Sequence, residues 1–352
     1  MNMFLSYVKY FICLIIVFTD LFVQSDVDYI LVNPKISDTM NISQLGSLVQ
    51  VIHLESTTSS MYLGPTQLIL DEEYIFLTLG TYPLSVAQFK RDGKFIRNIS
   101  MYKDDEIQFD YPVNFTCDVE NNILLIKCRR TVFFFDYDGN FIKKMKMPLP
   151  GEIFCYKNKI WGFDLQWTDI GKDLYHLTSW DQYGDSIRRG TLIHYKDGVC
   201  EKFEWKSIKD AMFTSNDEVM YFSNEADPII YKFSDNEIIP VCEFSFPDEY
   251  SDCLDITAER VEIIGENWYV ISYHHNMRRY SLLYKNKTKK SYNLPGEIIN
   301  DDLFGTQGIK ARNLKTMRGG YFGYIISSAE IKSDKIEIPD NAGLCLIVMK
   351  AK

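Results

Sequence analysis

The sequence predicts an all-β fold: a six-bladed β-propeller of four-stranded antiparallel blades, with the last blade closed by an N-terminal strand. Three observations predict it. A tight-turn hairpin phrase recurs along the chain, a second β pattern precedes each recurrence, and one unpaired strand pattern stands before the first.

The recurring phrase is clearest in "AQFKRDGKFIRNISM" (Ala87 to Met101) and "FFFDYDGNFIKKMKMP" (Phe133 to Pro148). Each carries an aromatic, two residues, Asp-Gly, one residue, then Phe-Ile and a basic run. Asp-Gly between apolar runs signals a hairpin, because glycine accepts the positive φ of a tight turn and aspartate caps its own backbone. A three-residue loop with a left-handed glycine sets Phe89 across from Phe95 and Phe135 across from Phe141, so aromatic cross-strand pairs stabilise both hairpins.

Weaker copies follow. Ile193 to Trp205 keeps Asp197-Gly198, Ile230 to Phe244 uses Asp235-Asn236, and Leu282 to Leu294 puts Asn286 in the turn. Asparagine tolerates the left-handed conformation better than other non-glycine residues, which preserves the mechanism. From Asp92 through Asp138, Asp197 and Asp235 to Asn286 the intervals are 46, 59, 38 and 51 residues.

Ahead of these hairpins lie β patterns with a polar or glycine turn at the centre: Thr66 to Leu79, Asn114 to Cys128, Glu152 to Phe163, Ala211 to Ser223, Val261 to Tyr273 and Asn313 to Ile325. Two hairpins per period make four strands, the sequence signature of a propeller blade. About six such units fit between Gly46 and Lys352. The last is one strand short, with only "GLCLIVMK" (Gly343 to Lys350) after its hairpin, while "LVQVIHLE" (Leu48 to Glu55) stands alone before the first unit. Joining the two removes an exposed sheet edge.

The chain has 352 residues, 46% hydrophobic and 24% charged, which suits a folded protein with a large core. Its net charge of -10 opposes a phosphate backbone and argues against nucleic-acid partners. Lys9 followed by "FICLIIVF" (Phe11 to Phe18) and "VQS" (Val23 to Ser25) reads as an export signal over residues 1–25. Residues 26–45 are then an N-terminal extension and 46–352 the propeller. Asp20 interrupts the apolar stretch, short of the ~20 residues a transmembrane helix needs. Ile12, before Cys13, departs from the small residue of a bacterial lipoprotein signal. The expected location is therefore outside the cytoplasm, in the periplasm or at the cell surface. Without Cys13, seven of the eight cysteines remain, an odd number that forbids complete pairing. Most read as small core residues, with Cys242 and Cys253 near enough in sequence to consider for a bridge.

In "ISQLGSLVQVIHLEST" (Ile42 to Thr57), "GPTQLILDEEYIFL" (Gly64 to Leu77), "QFKRDGKFIRNI" (Gln88 to Ile99) and "FFDYDGNFIKKMKMP" (Phe134 to Pro148) the chain resembles the six-bladed β-propeller proteins exported by gut Bacteroidetes, distantly akin to NHL-repeat propellers. The resemblance implies the fold and an exported location. It departs from the family at Met101 to Pro112, which lacks the glycines often found after the first hairpin.

Signatures of catalysis are missing: no G-x-S-x-G, no H-E-x-x-H, no phosphate-binding glycine loop and no EF-hand loop occur in the sequence. The long third interval is the strongest irregularity. Its excess lies between Trp161 and Gly190, where Trp161, Trp167, Tyr175, Trp180 and Tyr183 stand among Asp169, Asp173 and Asp181. Aromatic faces beside carboxylates suit a sugar ring and its hydroxyls; the plainer alternative is an elongated blade whose aromatics are core. A second candidate is the channel mouth, where Asn114, Glu152, Asp210, Arg260 and Arg312 enter the innermost strands and either hold a charged ligand or pair with one another. His274-His275 cannot both ligate one ion on a regular strand, because neighbours point to opposite faces. No catalytic, metal or cofactor residue is assigned.

Two functions follow. The leading expectation is an exported, non-catalytic propeller that binds a glycan, peptide or partner protein. The alternative is a propeller hydrolase or lyase with a divalent metal in the central channel.

Overall fold

The computed structural model describes residues 27–33, 35–56, 67–79, 85–99, 112–128, 130–147, 153–167, 172–181, 183, 185–195, 212–215, 220–224, 227–234, 237–245, 256–265, 267–275, 278–332 and 342–352. The N-terminal part supplies β1 (Asp28–Leu31), a single helical turn α1 (Ile42–Leu45) and β2 (Gly46–Glu55). Blade 1 is β3 (Leu68–Leu70), β4 (Tyr74–Leu79), β5 (Ser85–Lys90) and β6 (Phe95–Ile99). Blade 2 is β7 (Pro112–Asp118), β8 (Ile123–Cys128), β9 (Thr131–Asp136) and β10 (Phe141–Lys146). Blade 3 is β11 (Phe154–Tyr156), β12 (Lys159–Trp167), β13 (Lys172–Trp180) and β14 (Ser186–Tyr195). Blade 4 is β15 (Met212–Ser215), β16 (Met220–Asn224), β17 (Asp227–Ser234) and β18 (Glu237–Ser245). Blade 5 is β19 (Ile256–Ile264), β20 (Trp268–His275), β21 (Arg278–Lys285) and β22 (Lys290–Pro295). A short ribbon of β23 (Ile298–Ile299) and β24 (Ile309–Lys310) leads to blade 6, formed by β25 (Lys315–Met317), β26 (Tyr321–Ser327) and β27 (Ala342–Ala351) with β2.

The fold is the expected six-bladed propeller, and its closure is as expected too. β2 pairs antiparallel with β27 from Gly46↔Ala351 to Glu55↔Ala342 and forms the outer strand of the last blade. In the two clearest hairpins Phe89 pairs with Phe95 and Phe135 with Phe141, their rings 5.4 and 5.8 Å apart edge to face. Gly93 and Gly139 take the positive φ that the turns require. The fifth turn differs: a 3-10 turn over Asn286–Thr288 makes the loop longer, so Lys289 rather than Asn286 is left-handed. Asp197-Gly198 and Asp235-Asn236 lie outside the described residues.

The core lies in the six gaps between successive blades. Because each blade is covered on both sides, alternate residues of one strand serve two gaps. In β9, Phe133 and Phe135 pack toward blade 1, whereas Val132 and Phe134 pack toward blade 3. That is why the strand reads as a continuous apolar run instead of alternating with polar residues. Cys117, Cys128, Cys155, Cys242 and Cys345 are buried in these gaps as small side chains. Cys253 lies outside the described residues.

Along the axis, polar side chains of one innermost strand grip the backbone of the next. The Phe115 N–H donates to Gln67 Oε1 at 2.9 Å, and the Cys155 N–H donates to Thr116 Oγ1 at 3.0 Å. Thr316 Oγ1 donates to the Ile263 carbonyl at 2.7 Å.

The sequence did not foretell β1. It adds to blade 4 as a fifth, outermost strand, parallel to β18, and buries Ile30 there. The chain then follows the outer edge of blade 5, where the Asn293 N–H donates to Asp38 Oδ2 at 2.8 Å and Asn293 Nδ2 donates to the Ile36 carbonyl at 2.8 Å. It reaches blade 6 through α1, whose Ile42 and Leu45 enter the core between blades 5 and 6. The stretch from β1 to α1, expected as an extension outside the propeller, thus binds three blades together.

Candidate binding face

Antiparallel order sorts the connections onto two faces. Every innermost strand begins on one face, and the links between blades and the loops from second to third strands return to it, so we term it the link face. First and third turns of each blade lie on the opposite, turn face.

Blade 3 departs from its neighbours on the link face. β11 makes its last pair at Phe154↔Trp161, yet β12 runs on to Trp167 and stays paired with β13 as far as Trp167↔Asp173. β14 accompanies them to Lys172↔Tyr195. Six further residues at ~3.3 Å each give a three-stranded projection of about 20 Å. In blades 2 and 5 the second strand ends level with the start of the first, at Pro112↔Cys128 and Ile256↔His275. The excess of the third interval therefore lengthens strands.

Trp167 occupies the outermost rung of this projection, and Tyr175 pairs with Leu165 two rungs inward. Trp161 and Trp180 lie at its base and are 3% and 4% exposed. Trp161 packs toward blade 4, its ring 4.7 Å from Phe233, and Trp180 packs toward blade 2 beside Phe134 and Met147. Tyr183 is on the turn face, 80% exposed beneath Lys143 Nζ. Asp181 caps that turn by accepting the Tyr183 and Asp185 N–H groups. Asp169 lies outside the described residues.

Of the channel-mouth residues, Asn114 is buried and bound to blade 3: Nδ2 donates to the Ile153 carbonyl at 2.6 Å and Oδ1 accepts the Ile153 N–H at 3.2 Å. Arg260 pairs with Ser272 across β19 and β20, four residues before its strand ends, as Asn114 is in blade 2. Arg312 sits in a 3-10 turn ahead of β25, its Nη1 3.3 Å from the Glu297 carboxylate. Glu152 and Asp210 lie outside the described residues.

On the same face, basic residues stand at the facing ends of β20 and β21. β20 and β21 end in the pairs His274↔Arg279 and His275↔Arg278. Arg279 Nε donates to His274 Nε2 at 2.8 Å. His275 lies on the other side of the blade, its ring 6.1 Å from Tyr280, which stacks on Tyr273 at 5.3 Å. Burial raises the Tyr273 hydroxyl above its ordinary pKa, keeping it neutral as a donor to Asn293 Oδ1 at 2.7 Å. Reading "HHNMRR" for a metal site passed over its charge: four basic side chains in six residues at a strand-loop-strand junction. Among the described residues no three His, Cys, Asp or Glu side chains converge on a metal position, and no helix is long and apolar enough to cross a membrane.

Of three solved structures similar to this chain, one superposes above a TM-score of 0.5, and that likeness is one of fold. A Bacteroides fragilis protein described as exported superposes with a TM-score of 0.58 at 14% identity, over 93% of this chain and 99% of its own. The extracellular domain of a one-component system from B. thetaiotaomicron gives a TM-score of 0.43 at 8% identity, over 84% of this chain and 40% of its own. The β-propeller domain of the trilobed protease from Pyrococcus furiosus gives 0.40 at 10% identity, over 76% and 79%. No curated protein matches significantly. Residues 27–342 match a domain of unknown function, DUF4934, and the chain belongs to that family.

Proposed function

We propose that the protein is an exported, non-catalytic binding propeller that takes a glycan, peptide or partner protein on its link face. The observation that carries this reading is the blade 3 projection, which adds a wall of about 20 Å to one side of that face. Insertions in repeat folds commonly project from the face that binds, since they leave the shared core untouched. Export is supported by the apolar leader at residues 1–25 and by the exported and extracellular descriptions of the Bacteroides structures. The periplasm and the cell surface both fit.

A glycan and peptide array probed with the wild type, with Trp167→Ala, and with a variant whose β12–β13 projection is shortened to the length found in blade 2 tests the reading. The expected result is a ligand bound by the wild type and lost with the projection. Retention of every wild-type ligand by the shortened, folded variant would reject the link face as the site.

A further inference from the structure

We infer that the ligand is an extended peptide, neutral or basic, which joins the blade 3 projection as a fourth strand along the inner edge of β12. The inference rests on the link face being the binding face.

The register decides which backbone groups that edge offers. Lys157 and Asn158, both left-handed, form a two-residue loop that closes the β11–β12 hairpin at Tyr156↔Lys159. The Cys155 N–H turns away from β12 to Thr116 Oγ1, so hydrogen bonds between the two strands are exchanged in the pairs on either side, Tyr156↔Lys159 and Phe154↔Trp161. Lys159 and Trp161 therefore direct their backbone groups to the inner edge of β12. Beyond Trp161 the pairing of β12 with β13 keeps its register to Trp167↔Asp173, so alternation directs the N–H and C=O of Phe163, Leu165 and Trp167 to the same edge. β11 has ended there, and three donors and three acceptors are left for a strand of about six residues.

Among the described residues no strand pairs with this part of the edge. Residues 148–152, which enter β11, lie outside the described residues. Pro148 and Pro150 among them have no N–H to give a ladder, and both flanks are held by blade 2: the Met147 N–H donates to the Arg130 carbonyl at 2.8 Å, and Ile153 is clamped by Asn114. An open strand edge is a template for another chain unless it is blunted. β10, the outer edge of blade 2, carries three lysines, whereas 162–167 contains neither lysine nor proline.

The strands of blade 3 run outward from the axis in the order β11, β12, β13, β14, so the open edge faces the channel mouth. A peptide laid there antiparallel to β12 continues the line and direction of β11, with side-chain positions left to set specificity. A glycan has no alternating N–H and C=O to match the ladder. The net charge of -10 favours a neutral or basic segment over an acidic one.

The test screens the protein against a random library of capped nonapeptides and remakes the tightest binder with N-methyl groups on alternate residues, in either of the two parities. Methylation in one parity removes the N–H groups that face β12 and is expected to weaken binding about tenfold or more; the other parity should leave it nearly unchanged. Leu165→Pro removes one N–H from the open edge and none from the β12–β13 ladder, so it should weaken the same peptide several-fold with little change in melting temperature, and Leu165→Ala, which keeps the N–H, should weaken it less. Should Leu165→Pro not fold, the methylated peptides decide alone, since they leave the protein untouched. A library without a binder, binders that are all acidic, or equal effects in the two parities overturn the inference. If Leu165→Pro retains every wild-type ligand while the shortened projection loses them, strand addition fails and the binding face stands. If the shortened variant binds as the parent does, both fail. A wild type that sediments as a dimer, and as a monomer after Leu165→Pro, assigns the edge to a second copy and overturns the peptide.

Discussion

The carboxamide of Asn114 clamps the backbone of Ile153 from both ends, donating to its carbonyl and accepting its N–H, and so joins blade 2 to blade 3 at the axis. Asn114→Ala leaves a buried N–H and a buried carbonyl without partners, each costing about 1–3 kcal/mol. The expected loss is about 2–4 kcal/mol in urea denaturation. Asn114→Asp removes the donor and buries a carboxylate against a carbonyl, so it should be at least as damaging. Ligand affinity measured on the folded fraction should stay unchanged; a selective loss of affinity at parental stability would return Asn114 to the binding site.

The two Asp-Gly hairpins look interchangeable in sequence and are not equivalent in the ring. A Cβ on Gly139 meets side chains alone, the flexible Arg97 at 3.2 Å and Ile99 at 3.6 Å, whereas on Gly93 it would overlap the His53 carbonyl oxygen of the closing strand. Both residues have positive φ, which alone costs a side chain about 1–2 kcal/mol. Gly139→Ala should cost that much. Gly93→Ala should cost clearly more, because β2 must move away from blade 1 and lose the bonds of Glu55 to Gly93 and Phe95. Equal denaturation midpoints for the two variants would refute this role of Gly93.

Deletion of residues 46–55 should be worse than either. It strips the outer strand from blade 6, exposes the edge of β27 and withdraws Ile52 and Leu54 from the core between blades 6 and 1. Loss of a cooperative thermal transition, with aggregation, is the expected outcome. A melting curve matching the parent would show that the ring closes by other means.

The blades were legible because their signals are local. Asp92-Gly93 and Asp138-Gly139 dictate their turns within a few residues, and the leftover "LVQVIHLE" could be assigned by counting strands. β1 was not legible: four residues, "DYIL", pair in parallel with a strand more than two hundred positions away, and nothing local encodes such a partner. The candidate site was legible only in outline. The length of the third interval located the projection, but Trp161, Trp167 and Trp180 look alike in sequence, and only the six-gap core tells a base residue from a tip residue. Arg278 and Arg279 went unremarked because charge at a loop is the common condition of a soluble protein.

Trp180 and Trp167 should therefore behave oppositely. Trp180→Ala empties a position that is 4% exposed between blades 2 and 3, and large aromatic truncations of that kind cost about 3–5 kcal/mol. Trp167→Ala, at the outermost rung of the projection, should leave the denaturation midpoint nearly unchanged and act on binding. A midpoint shift in Trp167→Ala as large as that in Trp180→Ala would make the projection part of the core.

Alkaline pH should loosen the joint between blades 4 and 5 in particular. Cys242, Tyr269 and Tyr273 share that core. Burial, and then the Asp28 carboxylate, push the Cys242 thiol up to about 12, and burial raises both tyrosines above their ordinary value. Unfolded, a cysteine titrates near pH ~8.5 and a tyrosine near ~10. Below ~8.5 both states hold the thiol proton and the contribution of Cys242 to stability is fully present. As pH rises toward 12 the unfolded chain loses that proton first, so stability falls by about 1.4 kcal/mol per pH unit for this one group, with the tyrosines adding to the fall above ~10. Urea midpoints measured from neutral to alkaline pH should decline from about pH 9 onward. Cys242→Ala, somewhat less stable at neutral pH for the small cavity it leaves, should decline less steeply over the first part of that range. Parallel curves for the two proteins would mean that the buried thiol does not set the alkaline limit.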